Sequence, residues 1–228
     1  MISGSKKFAM SHFITSHILS QYSVAVFDLD GTLCNTQGDV FQIFQEALAE
    51  KGLPPAPDEL IRIGLPLEEM FAAITGKTID APIVVELTKN FRKKYDVSDY
   101  PHSHLYPGVE SLLRKLKAQG VYLAIATYKQ VLSTLHLLEV KGILPLFDTI
   151  MSIDTEERHW TKTEMLERIL ANANQPASQM VFFGDTASDI RATKAHGVTS
   201  VAALYGYGKP EELQSESPDF YCETLLNL

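Results

Sequence analysis

The ten residues Val24-Ala25-Val26-Phe27-Asp28-Leu29-Asp30-Gly31-Thr32-Leu33 constrain this chain more than any others. Four apolar residues in a row, with no polar alternation, predict a strand covered on both faces, as in a parallel sheet. The run stops at two aspartates, so their carboxylates sit at the carboxyl end of the strand. In open α/β sheets that is the edge where ligands bind. Gly31 allows positive φ or a close backbone approach, and Thr32 adds a hydroxyl. Taken alone, the stretch is equally an acidic turn that caps the next segment, and the loops downstream have to decide.

Those loops repeat the pattern. Residues 121–126 form a second apolar run that stops at Thr127-Tyr128-Lys129, where a hydroxyl can cap a helix or bind a phosphoryl oxygen. Residues 147–152 predict a short third strand. After a polar loop, Lys162 opens a helix marked by Met165, Leu166, Ile169 and Leu170. A lysine at a helix start works against the helix dipole, which makes Lys162 a candidate for another role. Met180-Val181-Phe182-Phe183 ends in Gly184-Asp185-Thr186-Ala187-Ser188-Asp189. Carboxylates at that strand end, facing those of the first strand, make a hard oxygen site suited to Mg²⁺. Residues 198–203 predict a fifth strand, Gly206-Tyr207-Gly208 a turn, and Phe220-Tyr221-Cys222 a last short strand or edge. Strands alternating with helices predict an α/β fold with a Rossmann-like parallel-sheet core.

The interval 35–105 breaks that alternation. Val40, Phe41, Phe44 and Leu48 make one helical stripe, with Asp39 as a possible start. A short helical piece begins at Asp58, and Ile63-Gly64-Leu65-Pro66 reads as a turn. Leu67, Met70, Phe71 and Ile74 give the next helix its buried face, ending near Gly76. Val84, Leu87, Phe91 and Tyr95 give another. The segment is too long for a connecting loop and reads as an all-helical insert. The expected domains are therefore an arm of unknown order at 1–22, an α/β core at 23–34 and 106–228, and a helical cap at 35–105.

Four loops in this order resemble the motifs of the haloacid dehalogenase-like (HAD) superfamily. Asp28-Leu29-Asp30-Gly31-Thr32-Leu33 is similar to its first motif, Thr127 to the second, Lys162 to the third, and Gly184-Asp185 with Asp189 to the fourth. The resemblance runs from about Ser23 to the end of the sequence. The position of the helical insert resembles the cap of phosphatases of the phosphoglycolate phosphatase type. Two neighbours depart from the family pattern: Tyr128 stands where asparagine is usual, and Thr163 where proline is usual.

The resemblance implies a Mg²⁺-dependent phosphatase acting on a small phosphorylated metabolite, phosphoglycolate-like or a sugar phosphate. Asp28 would be the nucleophile and form an aspartyl-phosphate. Asp30 would protonate the leaving oxygen and then deprotonate the attacking water. Thr127 and Lys162 would hold the phosphoryl oxygens. The metal would be held by Asp28, the Asp30 main-chain carbonyl and Asp185, with Asp189 as a direct or indirect ligand. Arg62 is a candidate contact for the leaving group, and is equally a solvated arginine at a helix end. Asp30 leans away from the dehalogenase and phosphonate-cleaving branches, which lack an acid there. Two alternatives remain: a phosphomutase of the β-phosphoglucomutase type, and a non-catalytic binding protein with the same fold.

The remaining composition narrows the partners. A formal net charge of −8 over 228 residues argues against a general nucleic-acid or anionic-membrane surface. No apolar run reaches the ~18 residues that span a bilayer. Two cysteines far apart, Cys34 and Cys222, suggest no disulfide framework. The expectation is a cytoplasmic enzyme with a small-molecule substrate.

Overall fold

The computed structural model describes residues 13–64 and 66–228. Residues 1–12 of the expected arm, and Leu65 of the turn after Ile63, lie outside the described residues. Six parallel strands form one sheet: β1 (Val24–Phe27), β4 (Tyr122–Thr127), β5 (Thr149–Ser152), β6 (Met180–Gly184), β7 (Thr199–Ala203) and β8 (Phe220–Cys222), in the order β5-β4-β1-β6-β7-β8. β1 is fully buried and pairs with β4 on one side and β6 on the other. The chain moves outward from β1 to β4 and β5, then crosses back to β6. The strand order therefore reverses at β1, and the loops beyond its carboxyl end part to leave a crevice. Asp28 lies at that point.

Helices cover both faces. α5 (Val109–Ala118) buries Val109, Leu112, Leu113 and Leu116, and α6 (Val131–Val140) buries Leu137 and Leu138. α7 (Lys162–Ala173) and α8 (Ala187–Lys194) pack against the other face, where Met165, Leu166 and Ile169 meet Val24, Val26 and Phe182. The expected last strand is present as β8. Residues 13–19 extend its edge: Ile14 N–H donates to the Tyr221 carbonyl at 2.9 Å, and the short helix α1 (Ser16–Leu19) follows.

Among the described residues, three α-helices and one short 3-10 helix (Asp58–Leu60) occupy residues 37–95: the α-helices are α2 (Gln37–Ala49), α3 (Leu67–Thr75) and α4 (Pro82–Tyr95). Their apolar stripes meet in an aromatic ladder, with Phe44 stacked on Phe71 at 4.0 Å between ring centroids and Phe91 on Tyr95 at 5.0 Å. Gly76 closes α3 in the left-handed conformation, which a glycine adopts without strain. The expectation of a purely helical insert needs one correction. Its two ends are joined by a short antiparallel pair, β2 (Cys34–Asn35) with β3 (His104–Leu105). Two-residue strands carry too little periodicity to be seen in sequence. Asp39 does not start α2 but lies buried in its first turn. There it accepts hydrogen bonds from the Ser103 hydroxyl and the His102 N–H, tying the two ends together.

Candidate active site

Asp28 continues β1 by one residue, its N–H donating to the Phe183 carbonyl at 2.9 Å. Its carboxylate is buried and lies 3.0 Å from Lys162 Nζ. Lys162 is the first residue of α7, whose start is fixed by a reciprocal cap between Thr161 and Glu164. That cap satisfies the helix end without Lys162, whose side chain runs inward. Its ammonium is shared between Asp28 and Asp189. The lysine that opposes the helix dipole is thus held by two carboxylates.

Asp189 caps α8 from the third position. Its Oδ2 accepts from Thr186 N at 2.9 Å and from Thr186 Oγ1 at 2.7 Å, while Oδ1 meets Lys162. Asp185 is the first residue after β6. Its Oδ1 accepts from Thr32 Oγ1 at 3.2 Å and its Oδ2 from Tyr207 N at 2.7 Å. Asp28, Asp185 and Asp189 each offer an oxygen within 4.8 Å of the others. Three buried carboxylates against one ammonium leave excess negative charge. Burial, with Asp189, Asp185 and Asp30 adding repulsion, pushes the Asp28 carboxyl up to about 8, against the pull of Lys162. Burial and Asp189 likewise push Asp185 up to about 7. Burial opposes the charge on Lys162, yet Asp189 and Asp28 outweigh it and hold the ammonium well above its ordinary value. A hard, oxygen-only donor set with uncompensated charge fits a divalent cation of the Mg²⁺ type.

Asp30 turns away from this cluster. Its Oδ1 accepts from Thr36 Oγ1 at 2.6 Å, and Lys129 Nζ lies 3.1 and 3.3 Å from its two oxygens. Lys129 also donates to Tyr95 Oη at 2.7 Å and lies over the Tyr95 ring. Thr127, buried at the end of β4, accepts from Lys129 N–H at 3.1 Å through its Oγ1. Tyr128, in the place of the usual asparagine, accepts from Lys162 N–H at 3.3 Å, and the Lys162 ammonium lies 5.1 Å from its ring.

A cavity of about 690 Å³ opens above these groups. Asp28, Asp30, Thr127 and Lys162 line it from below, and Leu67, Met70 and Phe91 from the helical segment. The structure therefore brings together Asp28, Asp30, Thr127, Lys162, Asp185 and Asp189. Arg62 stands apart: it is exposed, its Nε 3.4 Å from the Glu59 carbonyl oxygen. Among the described residues, the arginines that line the cavity are Arg92 and Arg158.

Two features of the site escape a reading by motif. One is Lys129, whose neighbourhood with Asp30 depends on the pairing of β1 with β4. The other is Gly206-Tyr207-Gly208, more than a turn. Tyr207 N–H holds Asp185, and its hydroxyl donates to Asn35 Oδ1 at 3.1 Å and accepts from Thr36 N–H at 2.7 Å. A Cβ on Gly206 would lie 2.3 Å from Asp185 Cβ, and one on Gly208 1.7 Å from the Asp185 carbonyl oxygen. Neither position has room for a side chain. Two glycines spaced by one residue just past a strand end were the available signal.

Comparison with known proteins follows the same line. The model of the haloacid dehalogenase-like hydrolase family matches residues 25–203. A phosphoglycolate phosphatase from Pseudomonas putida is 31% identical over 90% of this chain and 78% of its own. The tyrosine-protein kinase PtkA of Mycobacterium tuberculosis is 28% identical over 85% of this chain, which spans 66% of that protein. The crystal structure of a predicted phosphoglycolate phosphatase from Haemophilus somnus superposes with a TM-score of 0.81 at 25% identity, covering 90% of this chain and 96% of that one.

Proposed function

The chain belongs to the haloacid dehalogenase-like hydrolases, and we propose that it is a Mg²⁺-dependent phosphatase that hydrolyses a small phosphate monoester through an aspartyl-phosphate. One observation carries this reading. A buried carboxylate, Asp28, sits at the strand-order reversal with a lysine 3.0 Å away and a second acid two residues on, all facing one cavity.

The residues divide the work by position. In the first step an Asp28 oxygen bonds to phosphorus, the bond to the ester oxygen breaks, and Asp30 gives that oxygen its proton. In the second step water bonds to phosphorus, Asp30 takes the water proton, and the bond to Asp28 breaks to release phosphate. Asp30 is suited to both steps because Thr36 and Lys129 hold it clear of the three-acid cluster. Lys162 and the Thr127 hydroxyl take up charge on the phosphoryl oxygens. Asp28, the Asp30 carbonyl and Asp185 would hold Mg²⁺. Asp189 would join the metal site as a direct or indirect ligand, and it also holds the Lys162 ammonium. Bound Mg²⁺ would offset the repulsion between the carboxylates and the incoming phosphate. Residues 35–105 are read as a cap over the core of 23–34 and 106–228, hinged where β2 pairs with β3. No helix among the described residues is long and apolar enough to cross a membrane. Cys34 and Cys222 are free and buried, and a cytoplasmic setting is part of the same reading.

The test is phosphate release from a panel of small phosphorylated metabolites with and without Mg²⁺, wild type beside Asp28→Asn. The expected result is turnover that disappears with chelation and in the variant. Release that survives Asp28→Asn would overturn the mechanism. A second reading, transfer of the phosphoryl group to an acceptor other than water, draws support from the kinase-named relative. A phosphorylated acceptor formed in place of free phosphate would establish it.

A further inference from the structure

Thr36 stands at the start of α2 yet does not cap it. A threonine in that place ordinarily accepts a hydrogen bond from a main-chain N–H of the first helical turn. The Thr36 side chain makes no such bond. Its hydroxyl donates instead to Asp30 Oδ1 at 2.6 Å. Asn35 takes over at the helix start, its Oδ1 accepting from Gln37 N–H at 3.2 Å. The fully buried Thr36 is thereby left to serve Asp30.

Thr36 is held in turn from across the fold. Its N–H donates to the Tyr207 hydroxyl at 2.7 Å, and that hydroxyl donates to Asn35 Oδ1 at 3.1 Å. Both bonds close on one oxygen, so its position fixes the chain at 35–36. Tyr207 itself has little freedom. Its N–H is tied to Asp185 Oδ2 at 2.7 Å. Its ring lies so close to Gly31 that a Cβ there would come within 2.7 Å of Tyr207 Cδ2. The tyrosine is anchored to the core at its main chain and to Thr36 at its tip. None of the hydrolytic steps uses it directly.

What this relay controls is the acid. Lys129 Nζ lies 3.1 and 3.3 Å from the two Asp30 oxygens and hardly distinguishes them. Thr36 does, because its hydroxyl donates to Oδ1 alone, so a proton on Asp30 belongs on Oδ2. Without the Tyr207 hydroxyl, the Thr36 N–H loses its partner and the chain at 35–36 is free to shift. Asp30 then loses its orienting bond, while Asp28, Lys162 and Asp185 keep theirs. A misplacement of about 1 Å at a reacting group can cost about 10²-fold in rate.

We infer that Tyr207 is a positioning residue for Asp30: its hydroxyl fixes Thr36, and Thr36 orients the carboxyl that serves the leaving oxygen. This rests on the phosphatase reading above.

The experiment measures kcat/KM for p-nitrophenyl, phenyl and ethyl phosphate, whose departing oxygens need a proton increasingly. Tyr207→Phe removes the hydroxyl but keeps the ring and the N–H on Asp185. It is expected to stay within about threefold of wild type on p-nitrophenyl phosphate, because nitrophenolate departs without a proton. On ethyl phosphate it should fall by about tenfold or more, a part of the ~10²–10⁴ that a positioned acid supplies. Thr36→Val should give the same pattern, and Thr36→Ser should restore much of the rate. Adding Tyr207→Phe to Thr36→Val should cost little more, because the two act on Asp30 in series. Mg²⁺ binding by titration calorimetry should be unchanged in Tyr207→Phe. If that variant does not fold, Asn35→Ala, which removes the acceptor of the same hydroxyl, carries the comparison. A loss equal for all three esters, no loss at all, or weakened Mg²⁺ binding would overturn the inference. Asp30→Asn sets the scale. If it shows no dependence on the leaving group, or if the wild type releases phosphate from none of the esters, the phosphatase reading itself fails and takes the inference with it.

Discussion

At the scale of single residues, the site is a problem in burying charge. Asp28 and Lys162 look like two halves of one ion pair, yet their removal should affect stability differently. Asp28→Asn takes a charge out of a cluster with excess negative charge, so the variant should stay folded while kcat falls at least about 10³-fold, the scale expected when a nucleophile is lost. Lys162→Met leaves Asp28 and Asp189 buried without their cation. Breaking a buried pair from one side typically costs about 3–5 kcal/mol, so urea denaturation should show a large loss of stability as well as of activity. A Lys162→Met variant as stable as Asp28→Asn would show that the ammonium is not what balances the cluster. The glycines follow steric logic. Gly208→Ala puts a Cβ 1.7 Å from the Asp185 carbonyl oxygen, so the loop must move and carry Tyr207 N–H away from Asp185. Weaker Mg²⁺ binding by titration calorimetry is the expected outcome, and unchanged binding would remove this loop from the site.

At the scale of elements, what was legible depended on how many residues carried each signal. The strands of the sheet were readable because buried parallel strands are continuous apolar runs, as in Val24–Phe27 and Met180–Gly184. α3 and α4 were readable from apolar residues three and four apart. Their mutual packing was not, because a stripe says that a face is buried and not what covers it. The Phe44–Phe71 stack is such a case. Phe44→Ala opens a cavity between α2 and α3 and should cost about 3–5 kcal/mol. Faster amide exchange is expected in α2–α4 than in the sheet, and uniform loosening of both would show that the helical segment does not open as a separate unit. Asp28, Asp30, Thr127, Lys162, Asp185 and Asp189 were legible because each follows a strand or opens a helix. Lys129 and Gly206-Tyr207-Gly208 were missed because their roles are made by strand pairing across the fold. Arg62 was a candidate through the resemblance of the helical insert to a phosphatase cap, but among the described residues Arg92 and Arg158 are the arginines that line the cavity.

For the whole molecule, the three-acid cluster should couple stability to pH and to divalent metal. Asp28 and Asp185 titrate higher in the folded chain, at about 8 and about 7, than the ordinary 3.8 of an unfolded aspartate. For a group raised in this way, the folded state binds more protons than the unfolded state between the two values. Its contribution to stability is complete below about pH 4 and is lost as pH rises through 7 and 8. Lys162 is raised too, but its ordinary value is already 10.5, so its loss falls at higher pH. With chelator present, the melting temperature should therefore fall between pH 5 and pH 8, and Asp185→Asn should flatten that slope. Mg²⁺ binds the ionised carboxylates, so it should raise the melting temperature more at pH 8 than at pH 6. At a hundredfold excess over its Kd the gain would be about 2.7 kcal/mol. Asp185→Asn should lose most of that gain. Scanning calorimetry of both proteins at the two pH values, with Mg²⁺ and with chelator, decides the matter. A wild-type slope that Asp185→Asn leaves unchanged, or a metal effect that it retains, would mean that these carboxylates do not carry the linkage.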